Sequence, residues 1–140
     1  ITTIQLISQA HSCEVWYIIG QKPCVSVEII DSVNWINHNL PKGTTLLPLS
    51  PDMEKVLCNL VYGIRVIPIS SPQFSKLLSE QSYKIIMRTL LYLNVSYIYV
   101  TNSDLAHLEN LGSGLLTIFN VSTVIYENSS IKIYQLPMTF

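Results

Sequence analysis

The chain is short of charge. Charged residues fill 12% of its 140 positions, about half the roughly 25% usual in soluble domains. Eight basic and nine acidic residues leave a net charge of −1, so there is no basic field to grip a nucleic-acid backbone, and no nucleic-acid partner is expected. Glycine is scarce as well. The five glycines, at positions 20, 43, 63, 112 and 114, fit neither GxGxxG nor a GxxxxGK run followed by Ser or Thr, which excludes the common phosphate-cradling loops. No GxSxG elbow occurs, and no cysteine sits near a histidine in a triad-like pattern. No cofactor is expected from any motif.

Cysteine is limited to Cys13, Cys24 and Cys58, an odd number without a CxxC pair, too few for a disulfide scaffold. The ten residues between Cys13 and Cys24 include Gly20 and Pro23 and allow a disulfide across that connection. Cys58 falls in a helical segment and reads as a small buried hydrophobe. Long apolar runs are also missing. The stretch from Ile85 to Val100 is broken by Arg88, Thr89, Asn94 and Ser96 and falls short of the roughly 20 apolar residues needed to cross a bilayer. No signal-peptide pattern is visible. The chain opens on Ile1, which suggests a processed or excised piece. Residues 1–25 are the least legible: Ile1 to Ser8 suits a strand or the end of a preceding membrane helix, and the segment as a whole suits a linker from one.

Apolar material is abundant. Hydrophobic residues make up 49% of the chain, with 18 Ile and 18 Leu, which excludes disorder. One domain spanning residues 1–140 is expected, large enough to bury about 68–70% of its unfolded surface.

The pattern along the chain is strand, cap, helix, repeated. Ser26 caps a helix from Val27 to Leu40, with Ile29, Val33, Ile36 and Leu40 at steps of three and four, stopped by Pro41-Lys42-Gly43. Thr44 to Leu49 is a strand. Ser50-Pro51 then opens a helix with Met53, Val56, Leu57, Leu60 and Val61 on one face, closed by Gly63. Ile64 to Ile69 is strand-like, with Pro68 pushing it toward a sheet edge. Ser71-Pro72 opens a helix reaching about Leu93, with a break near Ser82. Ser96 to Val100 is apolar on both faces, as in a strand inside a parallel sheet. Thr101-Asn102-Ser103-Asp104 caps a short helix through Leu105, Leu108 and Leu111, ended by Gly112 and Gly114. Val121 to Tyr126 and Ile131 to Leu136 form a hairpin around Glu127-Asn128-Ser129-Ser130, where Asn128 best tolerates positive φ. The fold class is therefore α/β: a Rossmann-like, mostly parallel sheet flanked by helices, with a C-terminal antiparallel β-hairpin.

In an open α/β sheet, ligands gather at the carboxyl ends of the strands. Ser50, Ser71, Asn102, Ser103 and Asp104 collect there as candidate ligand-binding residues, although helix capping alone accounts for each of them. Asp104 and His107, three apart, have the spacing of two metal ligands on one helix face. A first-turn carboxylate beside an unrelated histidine explains the pair better, and no metal is expected. Trp16, Tyr17, Trp35, Tyr97, Tyr99, Tyr126 and Tyr134 could form a sugar-stacking platform, but their spacing favours core packing. Trp35 lies off its helix's main stripe. Three Asn-x-Ser sequons make Asn94, Asn120 and Asn128 glycosylation candidates if the protein is extracellular, Asn128 being the one expected to be exposed.

The run from Asp31 through Trp35-Ile36-Asn37-His38-Asn39-Leu40-Pro41-Lys42-Gly43 to Leu47 resembles the opening of the soluble domain in multi-spanning glycosyltransferases of the GT-C class, which use polyprenyl-phosphate sugars. Tyr97-Ile98-Tyr99-Val100, Val124 to Asn128 and Ile131 to Leu136 resemble the C-terminal lobes of the same proteins, so the likeness covers residues 25–137. It implies an extracytoplasmic domain joined to a membrane-embedded remainder of the same protein, where the catalytic carboxylates would reside. A glycan or protein acceptor would be its partner. The Trp-Trp-Asp-Tyr-Gly type of motif found in oligosaccharyltransferase soluble domains is absent, and no catalytic residue carries over. Two other readings stand beside this one: a stand-alone module binding a small ligand or protein through the Ser/Asp cluster, and a small enzyme whose site no motif betrays.

Overall fold

The computed structural model describes residues 25–69 and 72–137. The Cys13–Cys24 pair, His11, Trp16, Tyr17, Ser71 and every reading for residues 1–24 lie outside those residues. Among the described residues, six helices and five strands follow in the order α1 (Val27–Asn39), β1 (Thr45–Pro48), α2 (Pro51–Leu60), β2 (Arg65–Val66), α3 (Pro72–Ser79), α4 (Tyr83–Tyr92), β3 (Tyr97–Thr101), α5 (Asn102–Leu111), α6 (Leu115–Val121), β4 (Thr123–Glu127) and β5 (Ile131–Gln135).

The strands form one sheet in the order β2-β1-β3-β5-β4. β1 runs parallel to β2 and β3, whereas β5 runs antiparallel to both β3 and β4. The α/β reading holds, with the hairpin added at one edge. β3 is the departure: it is parallel to a neighbour on one side only. Its two apolar faces follow from helices covering both sides of the sheet. Tyr97 and Tyr99 face a core shared with α1 and α2, while Ile98 and Val100 face one shared with α3, α4, α5 and α6. That alternation is the two-residue period of a pleated strand.

Several local expectations are corrected. Strand β2 is only two residues long, because the chain leaves the ladder before Pro68, which has no N–H to donate. Helix α2 ends at Leu60 with Val61 as an extended C-cap, so Gly63 does not close it. Instead the Asn37 side chain donates to the Leu60 carbonyl and accepts from the Tyr62 N–H, both at 2.9 Å. Gly63, at φ +69°, shapes the turn into β2. Cys58 is exposed, not buried. It follows the buried Leu57 by one residue, about 100° around the helix, and so leaves the face made by Met53, Val56, Leu57 and Leu60.

The helix expected over 72–93 is two helices, α3 and α4, divided at the anticipated break near Ser82. Val121, expected to begin a strand, ends helix α6. Leu115, Ile118 and Phe119 of that helix are buried, and Phe119 stacks on Tyr134 with ring centroids 4.4 Å apart. In the β4–β5 turn, Asn128 does not take positive φ; among the described non-glycine residues only Asn94 does. Tyr97, Tyr99 and Tyr134 are buried as core residues. Trp35 closes against Tyr126 at 5.2 Å, tying α1 to β4.

Candidate functional site

β1 lies between β2 and β3. The chain leaving β1 enters α2 on one face of the sheet, and the chain leaving β3 enters α5 on the other. Two connections that diverge in this way open a crevice beyond the carboxyl ends of the strands. The crevice is present as a depression of about 430 Å³, lined among others by Ser26, Ser50, Asp52, Asn102, Ser103 and Ser130.

Three helix starts meet around it. Ser26 accepts from the Ile29 N–H at the head of α1, and Ser50 from the Met53 N–H at the head of α2, each at 3.3 Å. Thr101 accepts from the Asp104 N–H at 3.1 Å, while the Asp104 carboxylate accepts from the Thr101 N–H at 3.0 Å, a reciprocal capping box on α5. The partial positive charge of three helix ends is opposed by first-turn carboxylates, Glu28, Asp52, Glu54 and Asp104. The depression is therefore ringed by hydroxyls without a dominant charge, over a lining to which Ile29, Met53 and Ile131 also contribute and which is more apolar than polar.

Four of the five candidate residues come together here, the fifth, Ser71, lying outside the described residues. Ser50 and Asp104 are engaged as caps. Asn102 is exposed, but its amide donates to the Ser129 carbonyl at 2.9 Å and its backbone N–H to the Ser130 carbonyl at 3.1 Å. Ser103 is exposed and lines the depression. Ser26 and Ser130 join the rim although sequence reasoning did not assign them to the site. Ser130 arrives because β5 pairs with β3, which sets the hairpin turn beside the start of α5.

Asp104 is buried, and its carboxyl is pushed above the ordinary value, first by desolvation, against the lowering effect of its bonds to Thr101 and of nearby His107. A carboxyl raised on folding contributes stability that is fully present below its unfolded pKa and is lost as pH rises through the folded value. Asp104→Ala is expected to cost about 1–2 kcal/mol through the lost capping box. Its deficit relative to wild type should narrow as pH rises from about 3 toward neutrality. Urea unfolding of both proteins across that range checks this; a deficit that does not change with pH would mean that the carboxyl is not desolvated. It also makes Asp104→Ala a poor probe of ligand binding, since the variant loses structure first.

The other chemical candidates separate in space. Among the described residues no cluster of three or more His, Cys, Asp or Glu could hold a metal ion. The Asp104 carboxylate is engaged by the Thr101 N–H, with the exposed His107 close enough to lower its pKa. Asn94 and Asn120 are exposed, whereas Asn128 is half-buried. The Asn128 amide nitrogen donates to the Glu28 carbonyl and the Tyr126 hydroxyl, each at 3.0 Å, and its oxygen accepts from the Ser130 and Ile131 N–H groups at 2.9 Å. The sequon expected to be the most open is thus the most engaged, because its side chain joins the hairpin to the head of α1. No helix among the described residues is long and apolar enough to cross a membrane.

No protein-family profile matches the chain, and no curated protein does. Among solved structures, the C-terminal globular domain of oligosaccharyltransferase from Archaeoglobus fulgidus has the same fold. The two superpose with a TM-score of 0.63 over 81% of this chain and 99% of that one, at 12% sequence identity.

Proposed function

We propose that this chain is the extracytoplasmic soluble domain of a membrane-embedded, glycosyltransferase-like protein, and that it positions an acceptor or partner without performing chemistry itself. The fold shared with nearly the whole of an oligosaccharyltransferase C-terminal domain carries this reading. The GT-C-like phrase supports it by its place in the structure. Trp35 to Leu40 is the last part of α1 and its C-cap, Pro41 to Gly43 the turn, and Thr45 to Leu47 part of β1. The missing Trp-Trp-Asp-Tyr-Gly motif and the engagement of Asp104 as a cap support a non-catalytic role. An antibody against the chain, applied to fractionated source cells, is expected to detect a protein far larger than 15.8 kDa that resists alkaline carbonate extraction. External protease should remove the epitope from intact cells. A carbonate-soluble band near the mass of the chain would overturn the reading.

The crevice at the divergence of β1 and β3 favours a second reading, a module binding a small neutral ligand or a peptide segment through hydroxyl and amide groups. Nuclear magnetic resonance titration with N-acetylglucosamine and with an Asn-x-Thr peptide tests it. Shifts confined to Ser26, Ser50, Ser103 and Ser130, and abolished by Ser103→Tyr, would support this second reading. A flat response to both probes would sink it.

A further inference from the structure

Helix α4 carries an outer face that the core does not explain. Ile86, Met87 and Leu90 are buried, which accounts for the inner face. On the outer side, Ile85 is 49% exposed, Leu91 45% and Tyr92 86%. Lys84 and Arg88 lie between them around the helix, one turn apart and both exposed. Neither cation forms an ion pair among the described residues. No carboxylate occurs between Glu80 and Asp104, and the neighbouring helix α6 carries no charge at all. In a chain with a slight acidic excess, this face is locally cationic.

Its shape adds to its charge. Lys84, Arg88, Met87 and Leu91 line a shallow depression of about 420 Å³ on the helix surface, so two cations stand beside an apolar floor. A surface that pairs unneutralised cations with exposed aliphatic and tyrosine side chains is suited to a membrane interface. There the phosphates meet the cations and the rings and methyl groups sink to the headgroup level. An acidic protein surface would satisfy Lys84 and Arg88 but would offer little to Ile85 and Tyr92.

We infer that α4 is the surface by which this domain rests on an anionic lipid bilayer. The inference deepens the membrane setting proposed above and rests on it. A ten-residue helix binds weakly by itself, and a tethered domain needs no more, because the tether supplies a high effective concentration.

The test is co-sedimentation of the chain with phosphatidylcholine vesicles containing a third phosphatidylglycerol, beside vesicles of phosphatidylcholine alone. Binding to the anionic vesicles is expected, weakening steeply with salt. The Lys84→Gln/Arg88→Gln double variant should lose about thirtyfold in affinity, as expected for two cations at such a surface. Tyr92→Ser should bind less tightly with its salt dependence unchanged. These positions are exposed, so circular dichroism should show the variants folded. Glycerol phosphate, the free headgroup, should not compete at the same phosphate concentration. Equal binding to both vesicle types, competition by the free headgroup, or a double variant that binds like wild type would overturn the inference. So would a concentration-dependent dimer that Tyr92→Ser dissolves, since α4 would then face a second copy. A large carbonate-resistant protein whose domain ignores vesicles would remove this inference alone. A carbonate-soluble band near the mass of the chain would remove the membrane setting even if vesicles bind.

Discussion

Gly114→Ala is expected to cost about 2–3 kcal/mol, although it adds only one methyl group. The backbone is not the obstacle. Gly114 sits at φ −67° and ψ −13°, an ordinary helical conformation in which alanine would ordinarily be favoured by several tenths of a kcal/mol or more. The obstacle is the break between α3 and α4. A Cβ on Gly114 would stand 2.7 Å from the Gln81 carbonyl oxygen, 2.9 Å from the Tyr83 nitrogen and 3.0 Å from the Ile86 Cδ1. Two of those atoms are backbone, and the same backbone is bonded to Gly114, whose N–H donates to the Glu80 carbonyl at 2.8 Å. Relief by sliding would break that bond and lift α6 off α4. Gly112 supplies the contrast. It holds φ +64° as the left-handed cap of α5, but its nearest obstacle is the Gln81 Nε2, 4.0 Å away. Gly112→Ala should therefore cost only the left-handed penalty, about 1–2 kcal/mol. Denaturant midpoints for the two variants decide the matter. A Gly114→Ala milder than Gly112→Ala would show that the close approach is not what seats α6.

The same pair of glycines shows where sequence reasoning reached its limit. Gly112 and Gly114 both look like helix stops, and only one is. Gly112 caps α5 in the left-handed region, whereas Gly114 is small because another segment touches it, and contacts between distant segments leave no local trace. The following Leu115 to Val121 is short and partly β-branched, so a strand beginning at Val121 was the natural expectation. Its three buried positions, Leu115, Ile118 and Phe119, have helical spacing, but a seven-residue helix is too short for periodicity to decide. Packing on α4 and the Phe119–Tyr134 stack decided instead. By contrast, Ser26, Ser50-Pro51 and Thr101 to Asp104 announce their helices directly, since capping is a local interaction. The position of the crevice was legible for the same reason: caps follow strands in an α/β chain, so strand-end hydroxyls must cluster. Its full rim was not. Ser130 belongs to it only because β5 inserts between β3 and β4, a choice of strand order that no residue near Ser130 encodes.

A buried hydroxyl pair ties α1 to β3, whose ends border that crevice, and its removal should be costly. Tyr99 is fully buried in β3, and its hydroxyl lies 2.6 Å from the Ser32 Oγ of α1. The Ser32 hydroxyl donates to the Ile29 carbonyl at 2.7 Å, so the proton in the shorter bond comes from Tyr99. Two residues beyond Tyr99 is Thr101, and six before Ser32 is Ser26. The pair therefore holds two of the three helix heads at a set separation. Tyr99→Ala is expected to cost about 3–5 kcal/mol, the range for removing a buried aromatic. Tyr99→Phe should cost about 1–2 kcal/mol by leaving the Ser32 oxygen without its donor. Adding Ser32→Ala should cost less than the sum of the two single changes. Burial also pushes the Tyr99 phenol well above its ordinary value, with the bond to Ser32 opposing and Tyr126 and Asp104 adding to the rise. An acid raised on folding supplies stability that is complete below its unfolded pKa, about 10 for tyrosine, and drains away as pH climbs toward the folded value. The deficit of Tyr99→Phe should therefore shrink above about pH 10, where ionisation of this phenol in the unfolded chain favours unfolding of wild type but not of the variant. Unfolding curves for the two proteins from neutral to strongly alkaline pH test this directly. A deficit constant across that range would mean that the Tyr99 phenol is not desolvated in the folded state.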